Sequence, residues 1–270
     1  MSSRISRTAR TRTGALAASA AALLSAGLLH PAPAAAATPP AKTPAHATAA
    51  VLDLDAPGST PVVRGADRAY DTASIVKVDI LATLLLQAQD EGRRLSARER
   101  DLAEPMIRRS DNAAANALWR QIGRAPGLAA ANKRLGLTAT TGGTGTKWGL
   151  TRTTVGDQIR LLRAVFDSTG SAHKGSGGLD AKSRAYVRTL MGRVVPEQTW
   201  GVSAIGGPGS GKALKNGWLQ RNTTGLWDVN SVGQVTVAGH RYLVAVLSDG
   251  SASMSDGVRL VERAARSAVA

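Results

Sequence analysis

"YDTASIVKVDILATLLL", residues 70–86, decides the reading of this chain. Ile75, Val76, Val78, Ile80, Leu81, Leu84, Leu85 and Leu86 leave almost no polar face, so the stretch predicts a central helix. Ser74 and Lys77 nevertheless stand in its first turn. Three apart on a helix, they face one side, with roughly 5–6 Å between Cβ atoms. A desolvated amine at the positive end of a helix has a lowered pKa and can take the serine's hydroxyl proton. Free N–H groups at the same end can receive a developing oxyanion. The spacing alone is cheap: 21 serines and 8 lysines in 270 residues give about 0.6 chance matches. An N-cap serine with a snorkelling lysine explains it equally well. A second match, Ser171 to Lys174, falls in a Gly/Ser-rich loop without a core helix and is set aside.

Outward from this helix the pattern organises itself. "AAVLDLD" and "TPVVRG", flanking an "APGS" turn, read as two short antiparallel strands. Gly92 ends the central helix. "LSARERDLAEPMIRR" restarts, with Ser96 and Glu99 spaced as a capping box. "SDNAAANALWRQIG" and "APGLAAANKRLGL" are further helices, and "TATTGGTGTKWG" is a loop. "TTVGDQIRLLRAVF" and "LDAKSRAYVRTLMGRV" are amphipathic helices joined by "STGSAHKGSGG". In the final third, "KALKNGWL", "LWDVNSVGQVTVAG" and "HRYLVAVLSDG" alternate like strands, and "SDGVRLVERAARSAV" closes as a helix. The expected class is therefore α+β. About five strands from both ends make one antiparallel sheet, with the first and last helices on it, and the middle helices form a separate lobe. The expected boundaries are a helical lobe at about 75–200 inserted into a sheet lobe of 48–74 and 201–270. A cleft between the two is the natural place for a site.

Residues 1–37 differ in kind. Arg4, Arg7, Arg10 and Arg12 form a basic head, Gly14–Leu29 is an apolar run of small residues, and Ala-x-Ala choices follow near Ala34–Ala37. That order predicts a secretory signal peptide; 16 residues rich in Ala and Gly are short for a membrane span of roughly 20. Residues 38–47 read as a flexible Pro/Ala/Thr-rich leader, and 48–270 as one folded domain. There is no cysteine, so no disulfide framework and no acceptor for a lipid. The formal charge is +15; without the four leading arginines, 30 basic against 19 acidic residues leave about +11. A basic exported protein is drawn to anionic envelope polymers or carboxylate-bearing substrates. Nucleic acid is not expected, because no basic helix interleaved with aromatics occurs.

Two further triplets join the Ser-Lys pair. Ser110-Asp111-Asn112 opens a helix, which by itself is an ordinary N-cap. Lys215-Asn216-Gly217 lies in an alternating strand pattern, where Asn-Gly alone would signal a hairpin. Together and in this order they resemble the active-site serine β-lactamases and penicillin-binding peptidases, whose pattern is Ser-x-x-Lys, Ser-Asp-Asn, then Lys-Thr-Gly on a strand. The likeness spans most of residues 48–270, and "SDNAAAN" and "YLVAVLSDG" are similar to the class A β-lactamase branch.

The resemblance implies the fold of that superfamily and a role for each residue. Ser74 would attack a β-lactam or a D-alanyl peptide amide, Lys77 would accept its proton, and Ser110 would relay a proton to the leaving nitrogen. Asn112 would hold Lys77 and the substrate amide. Lys215 would place positive charge near Ser110 and the substrate carboxylate, beside Asn216 and Gly217. The N–H groups of Ser74 and Trp218 would form the oxyanion hole, and Asp111 would cap its helix. No cofactor and no metal are expected, and the protein is expected to be a secreted monomer.

This sequence also departs from the pattern. No Asp or Glu occurs between Asp111 and Asp157, so the loop glutamate that activates the deacylating water in class A enzymes is missing. Asn216 replaces Thr, though an amide can still donate to a carboxylate. Trp218 could stack on a substrate or simply fill space, and Arg221 is a candidate carboxylate-binding arginine. An acyl-serine hydrolase slow to deacylate is the first expectation; a weakly catalytic envelope-binding protein on the same fold is the second. Gly206–Lys212 resembles a phosphate loop, but Ala213 stands where Ser or Thr is needed and a strand follows, so no nucleotide is expected. His46, His173 and His240 lack metal-ligand spacing.

Overall fold

The computed structural model describes residues 44–167, 177–207 and 209–270. The expected signal segment, most of the leader, Ser171, His173, Lys174 and one residue of the phosphate-loop look-alike lie outside them.

Both ends of this region build one sheet. Strand β1 (His46–Asp53) pairs antiparallel with β2 (Val62–Arg64) on one side and β7 (His240–Asp249) on the other, and β6 (Trp227–Val237) and β5 (Lys212–Gln220) complete the order β2-β1-β7-β6-β5. β1 begins at His46, within the expected leader. The alternation of side chains explains why these strands are apolar on both faces. Leu243, Ala245 and Leu247 of β7 face the helical lobe, while Val244 and Val246 face the opposite core. Helix α7 (Met254–Val269) covers that outer face through Val261, Ala265 and Ala268.

Helix α1 (Val76–Asp90) has 12 buried residues, as its sequence requires. It runs among α2 (Ala97–Arg108), α3 (Asn112–Gln121), α4 (Arg124–Leu135) and α6 (Ala181–Met191), and so forms the core of the helical lobe. On the sheet's inner face, α5 (Val155–Phe166) lies across β7, β1 and β6, and the 3-10 turn Ala73–Ile75 at the head of α1 meets β5 and β6. The capping box forms: Ser96 Oγ accepts from the Glu99 N–H, and the Glu99 carboxylate accepts from the Ser96 N–H. A two-residue pair, β3 (Tyr70–Asp71) with β4 (Arg152–Thr153), ties the entry to α1 to the loop before α5.

Asp79 is the exception in α1. It is fully buried, neither carboxyl oxygen has a partner of good hydrogen-bond geometry among the described residues, and burial pushes its pKa up to about 7 although the nearby Asn132 amide pulls it down. A carboxyl with a raised pKa binds its proton more tightly in the folded state, so stability falls as pH rises from about 4 to about 7. Asp79→Asn is therefore expected to match the native protein near pH 4 and to exceed it by a few kcal/mol at pH 8. Urea unfolding across that range is the check; parallel pH profiles of the two proteins would show that Asp79 ionises freely.

Candidate active site

The nucleophile candidate sits where three elements meet. Ser74 lies in the 3-10 turn before α1, and its side chain caps no helix end. Its Oγ instead accepts a hydrogen bond from Lys77 Nζ at 2.8 Å. Asn230, buried in β6, donates to the carbonyls of Asp71 at 2.8 Å and Thr72 at 3.1 Å, and the Thr72 N–H donates to Thr151 O at 2.8 Å. The turn is thus held from the sheet and from the loop. Ala73 within it has φ +46°, a left-handed conformation costly for a residue with a Cβ.

The entry to α3 supplies the second group. Asp111 Oδ1 accepts from the Ala114 N–H at 2.7 Å, so Asp111 is the cap. Ser110, at φ +59°, turns its Oγ and carbonyl toward Lys77. Lys77 Nζ reaches Ser110 O at 2.8 Å, Ser110 Oγ at 3.1 Å and Asn112 Oδ1 at 2.7 Å. Lys215 donates to Ser110 Oγ at 3.0 Å and to the Asn216 carbonyl at 2.7 Å. Ser74, Lys77, Ser110, Asn112 and Lys215 therefore converge, although 105 residues separate Ser110 from Lys215.

Electrostatics sets the lysines apart from surface amines. Burial brings the Lys77 pKa down to about 7, against the pull of Asp111. Lys215 has no exposed surface; burial, then repulsion from Lys77, holds its pKa well below the usual lysine value. Its N–H bonds are directed at Ser110 Oγ and the Asn216 carbonyl rather than at solvent. Near neutral pH both forms of Lys77 are populated. The neutral amine can donate to Ser110 O and Asn112 Oδ1 and turn its lone pair to the Ser74 hydroxyl.

Strand β5 divides its residues by face. Gly217 lies against the nucleophile turn so closely that a Cβ would stand 2.7 Å from Ser74 N. Asn216 points the other way: its Nδ2 donates to Gln198 O at 2.9 Å and Trp200 O at 3.1 Å. Both N–H bonds are taken, so the expected donation to a substrate carboxylate does not fit. Trp218 is partly buried and packs on Trp200, with ring centroids 5.9 Å apart, against the outer core, on the face of β5 opposite Lys215 and Gly217. Arg221 pairs with Asp71 and lies 3.9 Å from Asp228, which ties up the candidate carboxylate-binding guanidinium.

Sequence reasoning passed over Trp148 and Asn230. Trp148, in a short 3-10 turn of the loop before α5, sets its ring 4.7 Å from Lys77 Nζ. Its only sequence signal is a large aromatic in a glycine-rich loop, as that of Asn230 is one amide amid an apolar strand. No group of three His, Cys, Asp or Glu side chains suited to a metal gathers among the described residues.

Comparison with known proteins bears on the fold and the family. Solved structures similar to this one include the TLA-3 extended-spectrum β-lactamase (TM-score 0.70, 15% identity, covering 83% of this chain and 91% of that one). They also include PBP-A (0.66, 23%, 84% and 89%) and a class A β-lactamase from Mycobacterium abscessus (0.66, 19%, 82% and 91%). At such identities the likeness is one of fold. Among curated proteins, "Putative lipoprotein LppW" of Mycobacterium tuberculosis and of Mycobacterium bovis is 29% identical over 179 residues, 64% of this chain and 54% of the relative. The chain thus spans about half the length of the curated relatives it matches. The family model described as the beta-lactamase enzyme family matches residues 85–270, more than half of the sequence and including Ser110, Asn112 and Lys215. The chain belongs to the beta-lactamase enzyme family.

Proposed function

We propose that this protein is an exported serine hydrolase that is acylated at Ser74 by a β-lactam or a D-alanyl peptide amide and loses the acyl group slowly. The observation that carries this reading is the 2.8 Å contact between Ser74 Oγ and a Lys77 amine whose pKa lies near neutrality. Neutral Lys77 takes the hydroxyl proton as Ser74 Oγ bonds to the carbonyl carbon. The oxyanion forms against the N–H groups of Ser74 and Trp218. The C–N bond then breaks, and the nitrogen leaves with the Ser110 proton, which Lys77 replaces. An ester on Ser74 remains, and its hydrolysis needs an activated water. Asp111 caps α3, and Asp157 accepts from Ala139 N, Thr140 Oγ1 and Arg160. Neither is free for that task.

Envelope association fits the leading segment, the basic balance of the chain and the lipoprotein relatives. No described helix is long and apolar enough to cross a membrane.

A labelled penicillin is expected to attach covalently, to be detected by intact mass, and to be lost in Ser74→Ala. Label held for hours marks the slow enzyme proposed here, whereas label shed within seconds marks a fast lactamase. Absence of label on a normally folded protein would favour the envelope-binding alternative.

A further inference from the structure

The loop that lacks a carboxylate is not empty. Thr141 and Arg152 exchange backbone hydrogen bonds of 2.8 and 2.9 Å that close it, and Gly143 N donates to Thr151 Oγ1 at 3.1 Å. Trp119 of α3 donates from its indole to Gly145 O at 2.8 Å. Trp148 donates from Nε1 to Asn116 Oδ1 at 2.7 Å, one helical turn beyond Asn112. A closed loop and a side-chain bond therefore both fix where the half-buried Trp148 ring lies: over the Lys77 ammonium.

We propose that Trp148 is a positioning residue covering the loop side of Lys77, and that its indole keeps water from reaching the Ser74 ester by way of Lys77. The inference rests on the acyl-serine reading above. A water activated by Lys77 must approach its Nζ. That atom is closed in by Ser74, Ser110 and Asn112, and by the ring face on the loop side. Indole has a π face that tolerates the ammonium form, but no atom that can accept a proton from water. The groups acting on Lys77 are thus Lys215 of β5, Asp111 at the head of α3, and the uncharged Trp148 ring. Covering without a base retains the acyl group, whereas exposure admits a water for Lys77 to activate.

The test acylates the full chain with penicillin G, removes excess drug and follows acyl loss by intact mass in the native protein, Trp148→Ala, Trp148→Phe and Asn116→Ala. Trp148→Ala is expected to release the acyl group about tenfold faster or more, each tenfold being about 1.4 kcal/mol of barrier. Trp148→Phe keeps a ring face and is expected to stay near the native rate, with Asn116→Ala between. In parallel, NMR of ¹³Cε-labelled lysine should show the Lys77 midpoint rising from about 7 in Trp148→Ala, because a hydrated amine charges more readily. Phenylalanine should restore the native midpoint, which a merely structural role does not explain. Equal release from all four proteins, or an unmoved Lys77 midpoint, overturns the proposal. If Trp148→Ala does not fold, the order of Asn116→Ala and Trp148→Phe decides instead. Failure of the native protein to acylate sinks the acyl-serine reading, and the Lys77 titration then decides the role of Trp148 alone.

Discussion

Replacing Lys77 with methionine is expected to slow acylation of Ser74 by about 10²–10⁴-fold at pH 8, the usual contribution of a positioned general base. Methionine nearly matches the length of the lysine stem and suits the buried site, so the fold should survive. The ammonium has three N–H bonds and four oxygens within reach, namely Ser74 Oγ, Ser110 O, Ser110 Oγ and Asn112 Oδ1. A carbonyl and an amide oxygen can only accept. Loss of one proton therefore leaves two donors for them and frees the lone pair toward Ser74. Because the base is the deprotonated form, the native acylation rate should climb as pH rises through about 7 and fall about tenfold per unit below it. In Lys77→Met that limb should vanish along with the rate. Stopped-flow acylation by a reporter β-lactam between pH 5 and 9 measures both. A variant within a few-fold of native, or one that keeps a midpoint near 7, would mean that another group takes the serine proton.

Much of this architecture was legible because its signals are local. The apolar run of α1, the Ser96–Glu99 box and the alternation of β5 to β7 each specify an element within a few residues. Convergence of Ser74, Ser110 and Lys215 was legible only through the resemblance, because sequence spacing says nothing of contacts across 105 residues. Asn216 shows the opposite failure. A period of two already places Asn216 and Trp218 on the face opposite Lys215 and Gly217. Treating the triplet as one unit hid this. Trp148 was not legible, since its position depends on loop closure at Thr141 and Arg152 and on an amide from α3. Polar positioning residues such as Asn230 carry no period at all; they are set by which backbone oxygens need a donor.

Gly217→Ala is expected to lower acylation by about 10²-fold, on the scale of a reacting group displaced by about 1 Å. The glycine is needed for approach, not for an unusual backbone conformation. A Cβ at this position would stand 2.7 Å from Ser74 N, 2.8 Å from Ile75 N and 2.8 Å from Thr72 O. All three are backbone atoms, so no side chain can swing aside. The nucleophile turn cannot retreat easily either, because Asn230 holds the Asp71 and Thr72 carbonyls and Thr151 holds the Thr72 N–H. The edge strand must give way instead: among the described residues β5 pairs on one side only, with β6. Its outward shift carries Lys215 away from Ser110 Oγ and moves the Trp218 N–H relative to Ser74. The added methyl should also cost about 1–3 kcal/mol of stability, as overpacking does elsewhere. Acylation kinetics and urea unfolding of the variant separate the two effects. Because the strand bears the strain, acylation should fall even in protein that remains folded. A variant that acylates at the native rate with an unchanged unfolding midpoint would show that β5 does not press on the Ser74 turn in solution.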